Sequence, residues 1–376
     1  MSTPTFLEKQ ILATVVYYDI LDHPLTNFEV FLYLVKGNME SRRKSGVEDG
    51  IISSDFRQDS SVVWELLNNS EYLKKYIGQK LGFYFLKKQP PSPPYQGGID
   101  IVEQRLDRKK LADQKWKKIK KIFWIMQVTP FMKMVLVSGS LALGNSKKES
   151  DIDIIITAKK GRIWTVRTIV TFLTSILGVR RYKNKTKNKI CLNHYITDKS
   201  LKIPFESLYN AQSYLHLINV YDNEEDKKLF RKFQEENKWI GEYVQNYEYS
   251  KLGSSRSIKR SRILGFISGF FEFVLSGNLV EAELSTGGSA SLVCRKINLF
   301  KKFGNYFEKK LSQIQSERIK KDKLYEKSGG RITISNNQLE FHPSSHEANI
   351  IPEFNRRMKE LKLFEFEGQK DSGLNT

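Results

Sequence analysis

The sequence predicts an α+β fold, on three observations. Apolar residues recur at helical spacing through most of the 376-residue chain, two strand-like runs between 132 and 157 flank a Ser-Gly-Ser turn, and a candidate β-hairpin closes around Asn336-Asn337. At this length the chain divides into more than one core, since domains run to roughly 100–200 residues. The composition, 40 % hydrophobic and 12 % aromatic with a mean hydropathy of -0.46, belongs to a globular chain.

Taken in order, Leu7, Ile11, Leu12, Val15 and Val16 predict a first amphipathic helix ending near His23-Pro24. Thr26 and Glu29 form a capping box for a second helix that Gly37 stops. A polar loop from Asn38 to Ser60 leads to a third helical pattern, Val62 to Leu67, and Gly82 punctuates a strand-like Phe83-Tyr84-Phe85-Leu86 run. Three helices and a terminal hairpin over 1–88 suggest a winged helix-turn-helix. The Pro/Gly-rich stretch Gln89 to Gly98 reads as an exposed linker, and a long helix from about Ile101 to Gln127 completes a linker-and-helix segment, 89–130. In that helix Lys115, Lys117, Lys118, Lys120 and Lys121 read as a solvated face.

From Met132 an apolar strand to Val137, a Ser-Gly-Ser turn, a short helix and a second strand, Asp151 to Thr157, form an α/β unit. An amphipathic helix over Ile163 to Leu177 and a third strand over Lys189 to Thr197 follow, and Pro204 to about Trp239 reads as helical throughout. This central domain is placed at 131–245, with a basic, mostly helical region at 246–376. Within the latter, Ile263 to Val280 reads as a buried helix: Glu272 and three glycines leave it short of the roughly 20 apolar residues of a membrane span.

Sixty-two Lys+Arg against 42 Asp+Glu give a net charge of +20, which favours polyanionic partners: nucleic acid, nucleotide phosphates or an anionic membrane surface. Cys191 and Cys294 are too few for a disulfide framework or a Cys-based zinc site. With no secretory signal visible from Met1 to Leu12, a cytoplasmic location is expected.

The chemistry concentrates in Val137-Ser138-Gly139-Ser140-Leu141-Ala142-Leu143-Gly144 and Ser150-Asp151-Ile152-Asp153-Ile154. A strand ending in Gly-Ser and opening a helix aims backbone N–H groups at one point, and glycine admits a phosphate close to the chain, so Gly139 and Ser140 are candidate triphosphate contacts. Asp151 and Asp153, two apart on a strand, project from one face. Paired hard oxygen ligands suit Mg²⁺, and a pair of such ions can activate a hydroxyl and stabilise departing pyrophosphate.

With twelve positions from Gly139 to Asp151, the pattern resembles the signature of the polymerase-beta-type nucleotidyltransferases, most closely the minimal and kanamycin-type domains, over about Phe131 to Tyr221. The resemblance implies a mixed sheet flanked by helices, Gly139 and Ser140 at the nucleotide phosphates, Asp151 and Asp153 on two Mg²⁺ ions, and transfer of a nucleoside monophosphate from a nucleoside triphosphate to a hydroxyl acceptor. The whole chain also resembles bacterial proteins that join a winged-helix-like segment to such a domain.

In that family a third carboxylate on a later strand often acts as base. The matching strand here, Ile190 to Ile196, offers Asn193, which cannot take a proton near pH 7, and Asp198 is the fallback acid. His194 is expected on the opposite side of that strand, and His342 and His346 read as loop residues. Lys259, Arg260 and Arg262 read as a solvated helix start. Two functions therefore stand: an Mg²⁺-dependent nucleotidyltransferase, and a nucleotide-binding regulator that binds DNA through its N-terminal segment.

Overall fold

The computed structural model describes residues 3–37, 56–87, 100–182, 186–223, 228–251, 256–276, 290–321, 331–342 and 346–363. The Gln89 to Gly98 linker and most of the Asn38 to Ser60 loop lie outside them.

Helix α1 (Phe6–Ile20) starts at the Thr5–Glu8 capping box, in which the Glu8 N–H donates to Thr5 Oγ1 at 3.2 Å and the Thr5 N–H to Glu8 Oε2 at 2.7 Å. Gln10 to Tyr18 are all buried, so the helix is enclosed rather than amphipathic. Strand β1 (Leu25–Thr26) and helix α2 (Asn27–Leu32) follow, the latter opened by the expected Thr26–Glu29 box. It ends short of Gly37, because Val35 pairs with Val244 instead of continuing the helix. Helices α3 (Phe56–Asn69) and α4 (Glu71–Tyr76) lead into β2 (Ile77–Lys80) and β3 (Phe83–Leu86), giving a three-stranded sheet of order β1-β3-β2. Leu81 and Gly82 at φ 51° and 78° make its tight turn.

Helix α5 (Ile101–Met126) packs Ala112, Trp116, Ile119 and Phe123 against a mixed six-stranded sheet. In chain order its parts are β4 (Met132–Val137), α6 (Gly139–Leu143), β5 (Ile152–Ala158), α7 (Ile163–Ile176), β6 (Ile190–Thr197), α8 (Leu208–Leu215), β7 (Ile218–Asp222), α9 (Lys228–Glu236) and α10 (Tyr247–Ser250). Helices α11 (Arg262–Ser276) and α12 (Ala290–Lys320), the hairpin β8 (Arg331–Ile334) and β9 (Gln338–His342), and α13 (Glu347–Glu360) follow. The sheet order is β7-β4-β5-β6-β9-β8, with β5 and β6 parallel and the other pairs antiparallel. Strand β7 corrects the reading of 204–239 as helical throughout: Ile218 to Asp222 is an edge strand on β4, where Val220 and Tyr221 are buried.

Alternation along β5 divides the core. Ile152, Ile154 and Ile156 pack with α5 and α7, whereas Ile155 packs with α8 and α9 on the other face. The expected hairpin at 331–342 joins this sheet, β9 pairing with β6. Helix α13 returns to the N-terminal core, with Phe354 edge-on to Tyr17 at 5.7 Å and Arg357 bonded to Asp19 at 2.7 Å. Among the described residues no helix is long and apolar enough to cross a membrane.

Candidate functional site

Strand β4 ends at Val137, and the chain turns through Gly139 at φ 65°, a left-handed conformation that favours glycine. A Cβ at 139 would stand 2.8 Å from Asp153 Oδ2, so glycine is also what lets the Asp153 carboxylate lie against this turn. The Ser138 N–H donates to the Asp153 carbonyl at 3.0 Å, fixing the two strand ends together.

Asp153 lies on β5 and Asp151 just before it, on the sheet face that carries Ile155. Burial raises the Asp153 pKa, and the neighbouring Asp151 charge raises it further; His342, Arg181 and His346 pull the other way. The Asp151 charge beside the buried Asp153 carboxylate is an arrangement that could hold a cation. The ligand atoms of Asp151, Asp153 and Cys191 lie within 4.8 Å of one another. Arg181 Nη1 now holds that place, donating to Asp151 Oδ2 at 2.5 Å and to Cys191 Sγ at 3.5 Å.

Lys115 supports this end of the sheet. It is buried, and its Nζ donates to the carbonyls of Lys147 and Ser150, each at 2.8 Å, which anchors the loop entering Asp151. Burial lowers its pKa, opposed by Asp151 and Glu149. Lys115 therefore leaves the solvated face expected of the lysine run; Lys117, Lys118, Lys120 and Lys121 are exposed. Its spacing from Ala112 and Ile119 was the available signal, since residues three and four apart share a helix face.

The third strand differs from expectation by one inserted residue. Asp153 pairs with Cys191, but Ile155 pairs with His194, so β6 bulges between them. Cys191, not Asn193, stands beside Asp153, and His194 joins the face that carries the aspartates rather than the opposite one. Burial, then Asp153 and Asp151, push the Cys191 thiol up to about 12, so it stays protonated at neutral pH. Asn193 instead meets His342, Nδ2 to Nε2 at 2.7 Å, and His342 Nδ1 donates to the buried Glu340 at 3.0 Å. Asp198 sits at the far end of β6, accepting from the Lys160 N–H at 2.9 Å, away from Asp151.

The aspartates open into a cleft of about 540 Å³ that Gly139 and Ser140 also line. Its facing wall comes from α1, α8 and the start of α13: Tyr17, Tyr18, Tyr209, Gln212, His216 and His346. Tyr18 Oη donates to Gln212 Oε1 at 2.7 Å and lies 2.6 Å from His216 Nε2. His346, read from the sequence as a loop residue, thus reaches the site, and no local motif announces it. Lys259, Arg260 and Arg262 are exposed at the entry to α11, as expected.

No protein-family model, curated protein or solved structure matches the chain.

Proposed function

We propose that the chain is a nucleotidyltransferase that moves a nucleoside monophosphate from a nucleoside triphosphate to a hydroxyl, with Asp151 and Asp153 as its metal-binding pair. The observation that carries this reading is the close approach of the Asp153 carboxylate to the Gly139 turn at the mouth of the cleft. The turn proposed to contact phosphate and the carboxylate proposed to hold metal are therefore side by side. The hard, mutually repelling oxygens of Asp151 and Asp153 fit Mg²⁺. When bound, Mg²⁺ neutralises phosphate charge and favours ionisation of the attacking hydroxyl. Gly139 and Ser140 would orient the triphosphate, Lys115 keeps the loop before Asp151 in place, and Arg181, bonded to Asp151 here, would supply a positive charge beside the phosphates.

The test is release of pyrophosphate from labelled triphosphates in the presence of cellular extract, with Mg²⁺ and without it. Metal-dependent release that Asp151→Asn with Asp153→Asn abolishes is the expected result. Absence of release, with metal-dependent triphosphate binding retained, would instead support the nucleotide-binding regulator.

One observation favours that second reading: the neighbour of Asp153 on β6 is a protonated thiol and not a carboxylate. The regulator's DNA-binding arm has mixed support. Among the described residues, the order helix, strand, three helices, two strands and the sheet order β1-β3-β2 support a winged helix. Helix α3, however, carries Asp59 and Glu65 against a single basic residue in its sequence, a poor balance for phosphate contact. Duplex affinity of the full chain at low salt, and its slope with salt, decides this arm.

A further inference from the structure

The apolar helix α11, expected in a core, turns its apolar side outward. Phe266 is 78 % exposed and Ile263 74 %, with Phe270 on the same side one turn on. Its partner α12 does the same with Phe303, Tyr306 and Phe307. The two helices meet through Phe273 on Phe300, ring centroids 5.8 Å apart, and through the Leu275 carbonyl against Gly304. Phe303 and Phe307 therefore flank the crossing, and Phe271, 46 % exposed, lies one turn before it.

The charge around these side chains has one sign. Arg262, Lys301, Lys302, Lys309 and Lys310 are all exposed. The two acidic residues of 262–276 and 300–316 serve the interior: Glu272 accepts from the Phe131 N–H at 2.7 Å, and Glu308 accepts from the Trp164 and Thr165 N–H groups at 2.9 Å. Exposed apolar residues gathered in this way mark a surface that is covered in use. A second copy of the same face would bring lysines against lysines. Phosphates alone would leave Ile263 and Phe266 in water. An anionic lipid surface satisfies both, since aromatic and aliphatic side chains enter the headgroup boundary while lysine stems reach back to the phosphates.

We infer that the outward faces of α11 and α12 form a membrane-interface binding surface for anionic lipid, lying on the bilayer without crossing it. Such docking joins the apolar contribution to roughly 1 kcal/mol of attraction per lysine near a charged leaflet.

The experiment uses the full chain with vesicles of phosphatidylglycerol mixed into phosphatidylcholine, and of phosphatidylcholine alone, read by flotation. Binding to the anionic vesicles only is expected. Phe266→Ser with Phe270→Ser, and separately Lys301→Glu with Lys302→Glu, Lys309→Glu and Lys310→Glu, should each weaken it about tenfold or more. All six side chains point to solvent, and unchanged melting verifies that the fold is kept. Absence of binding to anionic vesicles at low salt overturns the inference. So does binding lost in the lysine variant but untouched in the phenylalanine variant, which is the general attraction of a +20 chain. A self-association dispersed by the phenylalanine variant, without vesicle binding, overturns it in favour of a second copy.

Discussion

Gly139, Ser140, Asp151 and Asp153 come from fifteen consecutive residues, whereas the wall facing them gathers Tyr17, Tyr18, Tyr209, Gln212, His216 and His346 from three separated segments. The first wall is set by local rules: a glycine at positive φ, a two-residue strand period and a tethered loop. The second is set by the packing of α1, α8 and α13 on one another; Tyr17, Tyr18 and Gln212 are buried in it, and Tyr18 is bonded to Gln212 and His216. Under the proposed function, chemistry would be carried by one wall and enclosure by the other, and each can be altered without the other.

The largest effect is expected on the first wall. Asp151→Asn with Asp153→Asn should abolish Mg²⁺-dependent triphosphate binding in calorimetric titration. Melting should not fall, because burial and the Asp151 charge make the ionised Asp153 carboxylate costly to keep in the fold. Unchanged metal-dependent affinity would remove the site assignment.

Next comes the third strand. Cys191→Asp puts a carboxylate in register with Asp153 and should raise transfer to an ordinary alcohol about 10²-fold, the lower range for general-base assistance. Asn193→Asp, whose side chain would stay with His342, should raise it far less. The reverse ranking in steady-state turnover would mean that position 193, and not 191, serves the acceptor hydroxyl.

A third comparison sets two glycines of similar φ against each other. Gly139→Ala meets Asp153 at 2.8 Å, whereas Gly161, at φ 73°, has nothing within 4 Å of its added Cβ. Urea unfolding should show a loss of about 3 kcal/mol for the former and about 1 kcal/mol for the latter. Equal losses would indicate that backbone strain alone governs both positions and that the close approach to Asp153 adds nothing.

The smallest effect belongs to the second wall. Burial, followed by Arg105, lowers the His216 pKa to about 3, and His23 is lowered by the same causes in the same order. A histidine whose folded pKa lies below its unfolded value near 6.5 stabilises the fold above that value, and the stability is lost as pH falls through it. His216 alone should remove about 1 kcal/mol between pH 7 and 5.5, and His216→Gln should flatten that part of the stability–pH curve. A variant whose pH dependence matches the parent's would place the titration elsewhere.

What could be read in the sequence follows the same division. Gly139 to Asp153 was legible because turn, spacing and alternation lie within one short stretch. The bulge at Cys191 to His194 was not, since one inserted residue leaves the apolar pattern of β6 nearly unchanged while exchanging which side chain meets Asp153. Strand β7 was hidden between two helices, where Val220 and Tyr221 fit either period. Helix α11 was legible as a helix, but an apolar face does not reveal whether anything covers it. His346 reaches the cleft from nearly two hundred residues beyond Asp153, and only tertiary packing brings it there.

The return of α13 onto α1 also has a consequence for the timing of assembly. On the ribosome, Tyr17 is made first and Ile350 more than three hundred residues later, yet both border the same cleft. A growing chain therefore possesses its carboxylates long before it can enclose them. Among the described residues the last helix, α13, brings the final part of the wall facing them, with Arg357 on Asp19 and Phe354 on Tyr17. A chain shortened before Glu347 would keep both aspartates and lose the Arg357–Asp19 and Phe354–Tyr17 contacts.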